Sequence, residues 1–159
     1  MDYRLCPATP ADDSWQLAIY ASTRADELVL AGWPPAQCEA FLRQQHEAQQ
    51  RHYKTHFPRS VCYLILVGDD VAGRLWLDER GERLHILDIA LLPAWRGQGV
   101  GTRCLRALIG QGRALGIQVE LHNPARRLYE RLGFVPDGEP QGLHQPLFRP
   151  ATQPEECLP

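Results

Sequence analysis

One stretch constrains this chain more than any other: residues 87–101, Leu-Asp-Ile-Ala-Leu-Leu-Pro-Ala-Trp-Arg-Gly-Gln-Gly-Val-Gly. It begins as an apolar run broken by one acid, Asp88, and is stopped by Pro93. It then turns through glycines at 97, 99 and 101 into a segment of helical apolar periodicity. The expected order is strand, glycine turn, helix. Such a turn leaves the first backbone N–H groups of the helix without partners, and the helix dipole favours an anion there. A phosphate-bearing ligand is expected at this point.

The elements around it follow from patterning. A short strand is expected over 3–6, and a helix over 10–20 with Thr9 as cap, Pro10 in the first turn, and Trp15, Ile19 and Tyr20 turned inward. Ser22 or Thr23 is expected to cap a second, shorter helical piece before Gly32. Pro34 and Pro35 open a long helix that ends before Pro58, with Cys38, Phe41, Leu42, Gln45, Ala48 and His52 on its inner face. Strands over 60–67, 71–78 and 83–92 form a meander, with Gly73 marking a bulge. The helix after the glycine turn is expected over 99–115, burying Gly101, Cys104, Leu105, Leu108, Gly112 and Leu115, with Gly116 as its stop. A strand over 117–121, a helix over 124–132 closed by Gly133, and short strands over 134–135 and 143–148 complete the pattern. The fold class is α+β: a mixed, mostly antiparallel sheet flanked by helices. One domain over 1–149 and a disordered, proline-bearing tail over 150–159 are expected.

Composition narrows the partners. A formal net charge of −2 with interleaved signs gives no footprint for nucleic acid. The N-terminus has no apolar signal segment and no run is long enough to span a bilayer, so no membrane partner and a cytoplasmic location are expected. The 5 cysteines are odd in number and lack C-x-x-C spacing, which argues against disulfides and zinc and for buried thiols in a reducing compartment. His46, His52 and His56 share a helix, but no carboxylate follows at a motif distance, and no metal is expected.

Two phosphate motifs fail. Val100-Gly101-Thr102 lacks the lysine of a P-loop, and the glycines miss the G-x-G-x-x-G spacing of a dinucleotide fold. The hexapeptide Arg96-Gly97-Gln98-Gly99-Val100-Gly101 instead resembles the acetyl-CoA loop, R-x-x-G-x-G, of the GNAT acyltransferase superfamily. A second block, from Asn123 through Tyr129 to Leu132-Gly133-Phe134, resembles the later motif of the same superfamily, and both stand in the expected order. The resemblance spans 84–134. It implies a GNAT-like fold with a splayed central sheet, and an acetyl-CoA-dependent N-acetyltransferase in which an acceptor amine attacks the thioester directly. The backbone of Gly97, Gln98, Gly99, Val100, Gly101 and Thr102 would hold the pyrophosphate, with Arg96 and Arg103 as added cations or as solvated surface charges. Ile89 and Leu91 would offer backbone groups to the pantetheine and the thioester, and Asn123 would bond the pantetheine arm, cap the next helix, or do both.

Tyr129 stands where the superfamily has its acid tyrosine, beside the departing sulfur. The base has several readings. Asp88 is first, because a carboxylate in an apolar strand is costly unless paired or used. His85 is an alternative, but strand alternation puts 85 and 88 on opposite faces unless a bulge intervenes. Asp26 and Glu27 are expected to bind the acceptor, and a water chain can also carry the proton. Cys104 falls on a buried helical face and is a poor nucleophile. The acceptor is a small-molecule or peptide amine, and a homodimer is one open oligomeric state. Two rivals stand beside the enzyme: a non-catalytic acyl-CoA-binding module, and an interaction module using the Gln-rich helix over 35–57.

Overall fold

The computed structural model describes residues 2–152. A single 7-stranded sheet, ordered β1-β2-β3-β4-β5-β7-β6, carries helices on both faces. Its strands are β1 (Arg4–Pro7), β2 (Val61–Val67), β3 (Asp70–Arg80), β4 (Arg83–Leu91), β5 (Ala114–Glu120), β6 (Val135–Pro136) and β7 (His144–Arg149). The helices are α1 (Asp13–Ala31), α2 (Pro35–His56), α3 (Val100–Gly110) and α4 (Arg126–Arg131). All strand pairs are antiparallel except β4–β5. This is the α+β, mixed and splayed architecture expected from the sequence.

The splay is visible in the register. β4 and β5 pair only from Arg83↔Ala114 to Ile86↔Ile117. Beyond Ile86, β4 stays with β3 and β5 stays with β7, so the two central strands part. The parting coincides with a bulge: Trp76 pairs with Asp88 but Leu77 pairs with Ile86, which leaves Leu87 as the extra residue. The bulge reverses the alternation. Ile86, Ile89 and Leu91 share the face of Leu75, against α3, while His85, Asp88 and Ala90 share the face of Arg74 and Trp76, against α1 and α2. A second irregularity pairs Ile65 with Gly73 and Leu66 with Val71, so Gly73 stands beside a bulge as expected.

Several local expectations are corrected. α1 is one helix: the Ser22 and Thr23 hydroxyls donate to the Ile19 and Tyr20 carbonyls at 2.7 and 2.6 Å, and do not cap a new start. Trp15 is 45% exposed, and Gln16 is buried in the first turns instead. On α2 Cys38, Phe41 and Leu42 are half-buried as expected, but Gln45, Ala48 and His52 are exposed, and the inner line continues through buried His46 and half-buried Gln49 and Tyr53. The helix follows the sheet's polar needs there, as described below, and not its own apolar stripe. α3 ends at Gly110, with Gly112 at φ 79° as the stop, and Leu115 and Gly116 belong to β5. Of the cysteines in described residues, Cys6 is exposed and Cys104 buried, and all are free. β7 forms despite Pro146 and ends at Arg149. Just after it, the Thr152 N–H donates to Gly112 O at 3.1 Å; the rest of the expected tail, 153–159, lies outside the described residues.

Candidate active site

The parted strands open onto a cleft of about 700 Å³ lined by β4, β5, α1, α2, the segment after β5 and Tyr129 of α4. Arg96 lines it and leads into the glycine turn. Gly97 and Gly99 have φ of 73° and 83°, the left-handed region that favours glycine. Gly99 is the N-cap of α3, no side chain caps the helix, and a Cβ at Gly97 or Gly99 would meet nothing within 4 Å. The first intrahelical bond is Arg103 N–H to Gly99 O. The N–H groups of Val100, Gly101 and Thr102 therefore precede the helical ladder and face a positive dipole end, beside open space. Val100 is buried and anchors the turn. The geometry suits a phosphate group.

Arg96 is an exposed cation with fixed hydrogen-bond partners. Its Nε donates to Leu91 O at 3.0 Å and its guanidinium reaches the Ser22 carbonyl and hydroxyl at 3.3 Å, tying the end of β4 to α1. The Gln98 side chain donates to Ala94 O at 2.6 Å, which braces the loop from within. Ile89, Leu91 and Asn123 line the cleft. Asn123 Oδ1 accepts the Ala125 N–H at 2.9 Å, so it organises the turn before α4 and keeps its amide donors for another partner.

Asp88 enters the cleft from the α1–α2 face and Tyr129 from the α3–α4 side. Tyr129 is 6% exposed and packs edge-on against Phe134. Burial, with a contribution from the Asp88 charge, pushes its phenol up to about 12. Asp88 accepts from Arg74 Nε at 2.7 Å, and Arg74 is 1% exposed. His85 shares the Asp88 face, through the bulge, but the structure does not bring it to the cleft. It lies over Gly116, where an added Cβ would stand 2.7 Å from its Nδ1. Burial holds its pKa down near about 4. Asp26 lines the cleft; Glu27 does not, and pairs with Arg24 at 3.2 Å. Arg24 also reaches Glu120 at 3.4 Å, joining α1 to the end of β5. Cys104 is buried, and burial raises its thiol to about 11. Among the described residues no cluster of His, Cys, Asp or Glu could hold a metal ion, and no helix is long and apolar enough to cross a membrane.

Sequence reasoning missed three cleft residues. Tyr53 donates its hydroxyl to the carbonyl of the bulged Leu87 at 3.1 Å and packs edge-on against Trp76. Gln49 and Arg74 meet through Arg74 Nη2 and Gln49 Oε1 at 2.8 Å. Arg74 carried a signal: a cation inside Val-Ala-Gly-Arg-Leu-Trp-Leu is as anomalous as Asp88 in its own strand. Tyr53 carried none, because a tyrosine on an amphipathic helix reads as packing.

The site thus combines a split parallel pair, a buried tyrosine on the cleft wall and, following Arg96, an uncapped glycine-bound helix start. The acetyltransferase (GNAT) family profile matches residues 25–134, and the chain belongs to that family. Solved structures agree in fold. PaiA N-acetyltransferase from Thermoplasma acidophilum, in complex with coenzyme A, superposes with a TM-score of 0.66 at 12% identity, covering 94% of this chain and 99% of that one. An acetyltransferase from Thermus thermophilus gives 0.65 at 22% identity, covering 94% and 97%. Histone acetyltransferase HPA2 and related acetyltransferase from Corynebacterium glutamicum gives 0.66 at 20%, covering 97% and 99%. No curated protein matches the sequence.

Proposed function

We propose that the protein is a cytoplasmic, acetyl-CoA-dependent N-acetyltransferase acting on a small-molecule or peptide amine. The observation that carries this reading is the β4–β5 opening, whose cleft is lined by Asp88, Tyr129, Asn123 and Arg96, the residue that precedes the glycine turn and the uncapped α3 N-terminus. The loop amides of residues 97–102 receive the pyrophosphate of acetyl-CoA. Ile89 and Leu91 on β4 and Asn123 after β5 flank the pantetheine.

The acceptor approaches from the α1–α2 side, where Asp88 and Asp26 offer carboxylates to an ammonium. The ammonium first gives one proton to solvent; the neutral amine nitrogen then attacks the thioester carbonyl, so the C–N bond forms as the C–S bond breaks. Nitrogen becomes far more acidic as that bond forms, and Asp88 receives its proton. A phenol near about 12 is a weaker acid than an ordinary thiol at about 8.5. Tyr129 therefore acts by hydrogen-bonding the developing thiolate, and solvent completes its protonation.

Isothermal titration with acetyl-CoA, followed by thiol-release assays over a panel of amines, tests the proposal. Saturable binding and amine-dependent thiol release are expected. Absence of binding overturns it, and binding without turnover on any amine favours the non-catalytic acyl-CoA module.

A further inference from the structure

Arg74 is the largest fully buried side chain of the described residues, and its cation is not idle. It stands on β3, opposite Ala90 of β4. Its Nε bonds Asp88 Oδ2 at 2.7 Å, Nη1 bonds Gln16 Oε1 at 3.1 Å, and Nη2 bonds Gln49 Oε1 at 2.8 Å. The guanidinium also lies 5.7 Å from the Trp76 ring centroid. All three nitrogens are thus engaged, each with a different element: β4, α1 and α2. A buried cation with this coordination fixes both the position and the rotation of the carboxylate it holds. Ordinary core-building does not explain it, because a hydrophobic residue of like volume would fill the site as well or better.

We propose that Arg74 is the positioning residue for Asp88: it holds the carboxylate in place, with Oδ2 engaged and Oδ1 left for the acceptor amine, and Gln16 and Gln49 hold Arg74 in turn. This rests on the reading of Asp88 as the group that takes the acceptor's proton. The inference adds that α1 and α2, which wall the acceptor side, are bonded through Arg74 to that group. A shift of either helix on acceptor binding is then transmitted to the base.

A crystal structure and steady-state kinetics of Arg74→Lys test this. An ammonium cannot bond three elements in the guanidinium's fork, so the Asp88 carboxylate should leave its wild-type position, and kcat should fall roughly tenfold with Kd for acetyl-CoA unchanged. Gln49→Leu, which removes one support of Arg74, guards against failure of the first variant to fold and should move the Asp88 carboxylate and kcat in the same direction. An undisplaced carboxylate, wild-type kcat, or loss of acetyl-CoA affinity in parallel with kcat overturns the positioning role. Failure of the wild type itself to release thiol with any amine would instead remove the transferase reading and leave the structural result standing.

Discussion

At the scale of single residues, this protein sorts similar chemistry by environment. Two carboxylates close in sequence on α1 part company: Asp26 faces the cleft and Glu27 is drawn away by Arg24. Tyr129 and Tyr53 both have phenols raised to about 12, chiefly by burial, so both stay protonated donors throughout the usable pH range. Tyr129→Phe should therefore lower kcat roughly 100-fold, the usual loss for one preorganised donor, with acetyl-CoA affinity unchanged. Steady-state kinetics with calorimetry checks it, and undiminished turnover would remove the tyrosine from the mechanism. The alkaline limb of the wild-type rate profile should not reflect Tyr129, and Tyr129→Phe should keep that limb where it is. His85 belongs to stability. Its imidazole titrates near 6.5 when unfolded and near about 4 when folded, because burial disfavours the charged form. Between those values the unfolded state binds more protons, so this group's contribution is present at neutral pH and is lost as pH falls through the window. His85→Gln should flatten the dependence of unfolding free energy on pH between about 6.5 and 4, measured by urea denaturation.

Among elements, the bulge at Leu87 and the glycine turn matter most. Without the bulge, Asp88 would share a face with Ile86 and point into the α3 core. With it, Asp88 meets Arg74, and Tyr53 binds the displaced carbonyl. The glycine turn is open in front and demanding in backbone, since Gly99 has φ 83° and no neighbour at its Cβ position. Gly99→Glu should abolish acetyl-CoA binding by placing a carboxylate before the helix N-terminus, and titration showing retained affinity would move the site elsewhere. Gly73 is constrained differently. A Cβ there would collide with the Ala90 carbonyl oxygen and stand 2.9 Å from Leu91 Cα. Gly73→Ala should cost about 1–3 kcal/mol, read as a lower denaturation midpoint. It should also displace the very part of β4 that lines the cleft.

For the molecule as a whole, binding to the folded state alone should stabilise it. At acetyl-CoA concentrations about 100 times Kd the gain is about 2.7 kcal/mol, or roughly 5–10 °C in Tm for a chain of this size. Differential scanning fluorimetry would show it, and a flat Tm would count against a built site. How much of this was legible beforehand differs by level. Most strands and helices of the sheet's centre could be placed from alternation and punctuation, because those signals are local. The C-terminal end of α3 was misplaced since Gly110 and Gly112 read as helical and Gly116 as the stop, and only packing showed that Leu115 and Gly116 continue as β5. The inner face of α2 was read only in part, for a related reason. Cys38, Phe41 and Leu42 are half-buried as expected, but the line continues through buried His46 and half-buried Gln49 and Tyr53, polar residues with partners on α1, β3 and β4 that helical periodicity cannot see.

The sequence by itself determined the family, the glycine turn that opens α3 and the order of the sheet's central elements. These rest on short-range rules: glycines where φ is positive, apolar residues at strand or helix spacing, and motif blocks in a fixed order. Only the tertiary structure decided which face Asp88 takes, that Arg96 is a brace tying β4 to α1, and that Arg74 holds the carboxylate. Each depends on groups from different elements being brought within a few ångströms, and a one-residue bulge is enough to reverse the outcome. Electrostatic partnerships of this kind are set by distance and burial, which a linear pattern does not contain.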